Sequence, residues 1–278
     1  SSSEEQKSKL FLLTITLLLQ GACMQKREPP YIPQEGEVVT WKQNDHLIIK
    51  AKLGERRKHI INEHCKKCER DFYKPHLEYY IGQFSIDYVP EKFDTISIAE
   101  AKSLSMPYVD GQLEFDLMLN RSTVQATDRS PFSLRTNTLD HIDQVKVFVA
   151  NFGINDLKQN INTKQFFESN YINKLDSNPS FKKYNLDCYS DKNFSGWENC
   201  FGKSKNKMIS GFYFNISPNE DSVILGRSYE LIYGGIKINW FTNQKNIDHV
   251  KDIDAAIWRL LDAWNVSPIK NINAINED

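Results

Sequence analysis

The chain lacks the short patterns that mark familiar catalytic machinery. It has no G-x-S-x-G elbow, no H-E-x-x-H pair, no glycine-rich phosphate loop and no dinucleotide fingerprint. The usual signatures of serine hydrolases, zinc proteases, nucleotide-triphosphate enzymes and nicotinamide enzymes are therefore missing. Charge of one sign is missing too: 35 Lys+Arg stand against 36 Asp+Glu, a formal charge of −1. Nothing global argues for nucleic acid or for a purely electrostatic membrane partner. No internal repeat is evident. The one long apolar run, residues 10–19, rises only about 15 Å as a helix, whereas a bilayer core of about 30 Å needs about 20 residues.

What that run does have is the layout of an export leader. Lys7 and Lys9 precede it, and Gln20, Gly21, Ala22 and Cys23 close it. Gly21-Ala22-Cys23 after a leucine run resembles the lipobox of bacterial lipoproteins, in which the cysteine is acylated and becomes the first mature residue. Gln20 stands where the box usually has leucine. The competing reading is a buried apolar helix, but the Lys26-Arg27-Glu28-Pro29-Pro30 that follows gives it nothing adjacent to pack on. Residues 1–23 are thus expected to be leader, with Cys23 lipidated and the protein anchored to a membrane facing the periplasm. Residues 24–36, with three prolines and no periodicity, read as a tether.

Five cysteines would leave one unpaired in a secreted protein. If Cys23 carries lipid, Cys65, Cys68, Cys188 and Cys200 remain, and proximity favours Cys65 with Cys68 and Cys188 with Cys200. A single four-cysteine zinc site is the competitor, disfavoured by an oxidising compartment. Cys65 and Cys68 also form a C-x-x-C. A redox motif of that kind should follow a buried strand, and here it ends a basic segment in which eight Lys/Arg between residues 50 and 70 face three Glu. That segment reads as an amphipathic helix with a solvated basic face.

Alternation marks strands at residues 38–41, 47–51, 79–90, 113–119, 145–149 and 212–216, with further strands at 93–99 and a pair, 228–232 and 235–241, around Gly234-Gly235. Residues 164–175 read as a helix. The clearest element is the last: Ile247, Val250, Ile253, Ile257, Leu260, Leu261 and Trp264 mark one helical face from Asn246 onward, and Pro268 limits it. Groups of strands with separate helices give an α+β class. We expect two domains on antiparallel sheets, 37–160 and 161–278.

Residues that could carry chemistry are scattered. His59 and His64 lie near Cys65 and Cys68, and Asp140, His141 and Asp143 sit together, but adjacent residues rarely point at one site. The run Asp87, Glu91, Asp94, Glu100, Asp110, Glu114 and Asp116 is opposed only by Lys92 and Lys102. It reads either as a solvated sheet face or as a surface for a basic partner. Between Cys188 and Cys200, Tyr189, Phe194 and Trp197 are candidate partner-binding anchors. The competing reading packs those rings inward.

Two stretches resemble a known family. Tyr80-Ile-Gly-Gln-Phe-Ser-Ile-Asp-Tyr-Val-Pro90 resembles a short motif near the start of immunity proteins that neutralise phospholipase effectors of type VI secretion systems. Tyr80 stands where that family has cysteine, and Gln83 where it has arginine. Gly235-Ile-Lys-Ile-Asn-Trp240 followed by Ala256-Ile-Trp-Arg-Leu-Leu-Asp-Ala-Trp-Asn265 is similar to the family's closing strand and helix. The resemblance implies a periplasmic lipoprotein of two α+β domains that binds a cognate lipase toxin and blocks its active site. It implies no catalytic residue, cofactor, metal or nucleic acid. An envelope lipoprotein enzyme or an envelope scaffold would be the alternatives.

Overall fold

The computed structural model describes residues 31, 33–55, 79–106, 113–119, 139, 141–152, 161–172 and 181–270. The expected leader, most of the expected tether, and Cys23, Cys65, Cys68, His59 and His64 lie outside the described residues. Residues 33–278 form one compact unit. No described helix is long and apolar enough to cross a membrane.

The fold is α+β and mostly sheet. A two-stranded antiparallel sheet pairs β1 (Val38–Lys42) with β2 (Ile48–Lys52). The main sheet is assembled from β3 (Tyr79–Ser85), β4 (Leu113–Met118), β5 (Gln144–Asn151), β6 (Phe181–Lys183), β7 (Leu186–Ser190), β8 (Glu198–Gly202), β9 (Phe212–Ile216), β10 (Val223–Arg227) and β11 (Ile236–Asn243). Their spatial order is β3-β4-β5-β11-β10-β9-β8-β7-β6. The helices are α1 (Ile98–Ser103), α2 (Thr163–Phe167), which runs into a π turn to Ile172, and α3 (Val250–Trp264), entered through a 3-10 turn over Gln244–His249.

The expected break at residue 160 is not a break in the sheet. β5 pairs with β11 at seven positions, from Ile236 opposite Asn151 to Thr242 opposite Val145. A ladder of that length joins the two halves of the chain through backbone hydrogen bonds, so they share one core. Nor is the sheet wholly antiparallel: β3 and β4 run parallel, with α1 in the connection between them. Parallel neighbours need such a crossover, and alternation within a strand does not say which direction its partner takes.

Register explains the core. Leu113, Phe115 and Leu117 lie opposite Val149, Val147 and Val145, which in turn face Ile238, Trp240 and Thr242, so one face presents a continuous apolar surface. The Trp264 ring of α3 closes on it, 5.1 Å edge-on from Phe115 and 5.3 Å from Phe84. Val250, Ile253, Ile257, Leu260 and Leu261 of the expected helical face are all buried. After α3, Asn265 stitches the small sheet to this core: its Oδ1 accepts from Ile48 N and its Nδ2 donates to the His46 carbonyl.

Four local expectations are corrected. Residues 93–99 form no strand; Ser97 instead caps α1, its Oγ accepting from Glu100 N at 3.1 Å. Residues 228–232 form no strand either, because residues 232–236 close a tight turn and the partner of β11 is the earlier β10. The helix over 164–175 begins with an Asn162 cap and loses α geometry after Phe167. β4 is not half-buried: Glu114 and Asp116, expected on a solvated acidic face, are buried, and Asp116 Oδ2 accepts from Tyr80 Oη and Gln144 Nε2.

Candidate functional site

β7 and β8 form a hairpin whose strands place Cys188 directly opposite Cys200. The two are joined by a disulfide with Cα atoms 4.1 Å apart, and both are fully buried. A four-cysteine zinc site would need these two thiolates for the metal, so the cross-link excludes it. Period-2 alternation then decides the fate of the rings. Tyr189, one residue on, points to the opposite face and is buried in a cluster with Phe167, Phe201 and Tyr213. Burial, helped by the Asp187 and Glu168 carboxylates, pushes its phenol up from the ordinary value. Tyr189 is therefore packed in the core, as the inward-packing reading has it for this ring.

The other two candidate anchors lie in the connecting loop, residues 191–197, outside the paired strands. Phe194 is 64% exposed and Trp197 39%. The loop is nevertheless ordered by its own chemistry. Asp191 Oδ1 accepts from the backbone N–H of Asn193 at 2.9 Å and of Phe194 at 3.2 Å, a side-chain turn of the kind Asp favours. Asp191 N donates to the Trp197 carbonyl at 2.8 Å, and Trp197 N donates to the Phe194 carbonyl at 3.1 Å. Gly196 supplies the left-handed backbone, φ +80°, that lets the chain reverse. Asp191 Oδ2 also accepts from Asn199 Nδ2, whose own amide oxygen accepts from Asn215 Nδ2 on β9. Two exposed aromatic rings thus stand on a turn braced from the sheet below and cross-linked two residues from its base.

Asp191 and Asn199, which order the turn, are residues that reading the sequence missed. The signal was an Asp at the end of a strand followed by Lys-Asn-Phe-Ser-Gly, a turn composition that names Asp as the ordering side chain. His141 stays local: its Nδ1 accepts from Asp143 N at 3.1 Å within its own turn. Among the described residues no group of three or more His, Cys, Asp or Glu side chains is arranged to hold a metal ion. The two stretches that carry the family resemblance, far apart in sequence, touch in the fold. Phe84 packs on Trp264, and Arg259 donates to the carbonyls of Ile86 and Tyr88. Comparison with family models, curated proteins and solved structures returns no match for this chain.

Proposed function

We propose that the protein is an immunity protein that binds a phospholipase effector of a type VI secretion system in the periplasm and blocks its active site. The observation that carries this reading is the hairpin tip, where Phe194 and Trp197 are exposed on a cross-linked, hydrogen-bonded turn. An inhibitor needs no catalytic group; it needs a rigid surface with a few aromatic anchors, which are the residues that carry most of the energy in protein interfaces. Order in the free state lowers the entropy lost on binding. The resemblance of residues 80–90 and of the closing strand and helix to the family, the leader-like residues 10–23 and the disulfide all support the same reading. Acylation of Cys23 would hold the protein at the membrane from which such a toxin must be kept.

The test is a mixture of the purified protein with the product of a neighbouring lipase gene. Stoichiometric loss of lipid hydrolysis, with a complex that survives gel filtration, is expected. Lipid or peptidoglycan hydrolysis by the protein alone, with no effect on the lipase, would favour the envelope enzyme instead.

A further inference from the structure

A cavity of about 440 Å³ opens on the aromatic face of the sheet, between α2 with its π turn and the strands β7 and β8. Every residue that lines it is described. Its floor is Phe167, Phe201 and the Tyr189 ring, and Ile172 forms an apolar wall. The cross-link backs this floor, since Tyr189 follows Cys188 and Phe201 follows Cys200. Glu230 ties α2 to the segment before β9, accepting from Thr163 N at 3.1 Å and from Ser210 N at 2.8 Å.

Tyr189 marks this cavity as a site. Only 8% of the residue is exposed, yet its hydroxyl makes no hydrogen bond among the described residues. Burial raises the phenol above its ordinary value, and the Asp187 and Glu168 carboxylates add to the rise. Both carboxylates line the cavity, so the hydroxyl end of the ring is the end turned toward it. The oxygen is not among the side-chain atoms sealed from solvent, and a ligand that pairs with it makes a hydrogen bond the fold leaves open.

The charges at the rim decide what enters. Lys164 Nζ and Glu168 Oε1 lie 3.8 Å apart, one helical turn from each other, and are paired. Asp187 and Lys203 are exposed and form no ion pair among the described residues. Asp187 lies opposite Phe201 in the hairpin ladder and Lys203 comes two residues later, about 7–8 Å away on the diagonal. A carboxylate and an ammonium, both unpaired, thus border one aromatic floor. A lone cation would meet Lys203 there, and a lone anion Asp187 and Glu168, whereas a small zwitterion satisfies both ends. We infer that the cavity binds a free α-amino acid with an apolar side chain, its ammonium donating to Asp187 and the Tyr189 hydroxyl oxygen, its carboxylate on Lys203 and its side chain over Phe167 and Phe201. The site is separate from the hairpin tip and does not rest on the function proposed above.

The experiment titrates the full chain calorimetrically with L-phenylalanine and with L-leucine. Saturable one-site binding of both is expected. N-acetyl-L-phenylalanine, which lacks the ammonium, and L-phenylalaninamide, which lacks the carboxylate, should each bind about tenfold or more weakly. Asp187→Asn and Lys203→Gln should weaken L-phenylalanine by about tenfold or more, and Tyr189→Phe, which keeps the ring, by about threefold or more. Trp197→Ala should leave it unchanged. Asp187 and Lys203 are exposed, so an unaltered melting temperature is expected for both variants and separates lost binding from lost fold. No saturable binding of either amino acid, equal binding of the blocked forms, or wild-type affinity in the folded Asp187 and Lys203 variants overturns the inference. Binding that is lost in Trp197→Ala overturns it as well, because the ligand would then sit on the hairpin tip.

Discussion

Single side chains show how tightly the shared core is set. Gly226 sits in β10 opposite Trp240, and a Cβ there would come within 2.0 Å of the indole ring. Since a ring locked between Phe212 and Phe214 has little room to yield, Gly226→Ala should destabilise by about 2–3 kcal/mol, read from the shift in denaturant midpoint at constant slope. Asp254 makes a different point. Its carboxylate accepts from Ser204 Oγ, Lys205 N and Trp258 Nε1, yet burial outweighs these bonds and raises its pKa above the ordinary 3.8. A folded-state pKa above the unfolded one means that the folded protein binds the proton more tightly. This contribution to stability is therefore complete below about pH 3.8 and is lost as pH rises through the higher folded value, the reverse of a salt-bridged carboxylate. Measured across that range, the wild type should gain stability relative to Asp254→Asn as the pH falls. A difference that stays flat or runs the other way would mean that burial does not set this pKa.

Elements were legible in proportion to their periodicity. β11 alternates buried and half-buried residues throughout its length, and α3 buries the stripe its spacing announced. β10 was missed because Val-Ile-Leu-Gly-Arg has no apolar–polar alternation and carries a glycine in its fourth place, and that glycine is there to admit a tryptophan from the next strand. α1 was misread as a strand although Ser97-Ile-Ala-Glu100 is a capping-box pattern, since Ile96 and Ile98 flank Ser97 in a short alternation at its start. At the hairpin, sequence named Tyr189, Phe194 and Trp197 together, and only the strand boundary at Ser190 separates the buried ring from the exposed two. The cross-link belongs to this scale as well. Replacing Cys188 and Cys200 by alanine should cost about 3 kcal/mol on the chain-entropy model, with a matching drop in melting temperature. An unchanged melting temperature would show that strand pairing alone closes the hairpin.

Among the described residues the nine-stranded sheet carries a dominant core on one face and an aromatic cluster on the other, and the cooperativity of residues 33–278 should reflect that. Residues 33–278 are expected to unfold in a single transition with coincident tryptophan fluorescence and circular dichroism, because β5 and β11 carry one ladder across the middle of the chain. Two resolved transitions would restore the pair of domains that the sequence suggested. On this scaffold the hairpin tip is the exposed, ordered, aromatic feature to which an inhibitory function is assigned, and one variant tests that assignment most directly. Trp197→Ala removes a ring that is 39% exposed and makes no core contact among those described, so folding should be untouched. A buried tryptophan anchor carries about 2 kcal/mol or more of binding energy, which corresponds to roughly thirtyfold in affinity. The decisive measurement is the dissociation constant of the lipase complex for wild type and Trp197→Ala, taken with the melting temperature of each. The account predicts an affinity weakened about thirtyfold or more at an unchanged melting temperature; a variant that binds the lipase as tightly as wild type, or that melts early while its folded fraction binds normally, would contradict it.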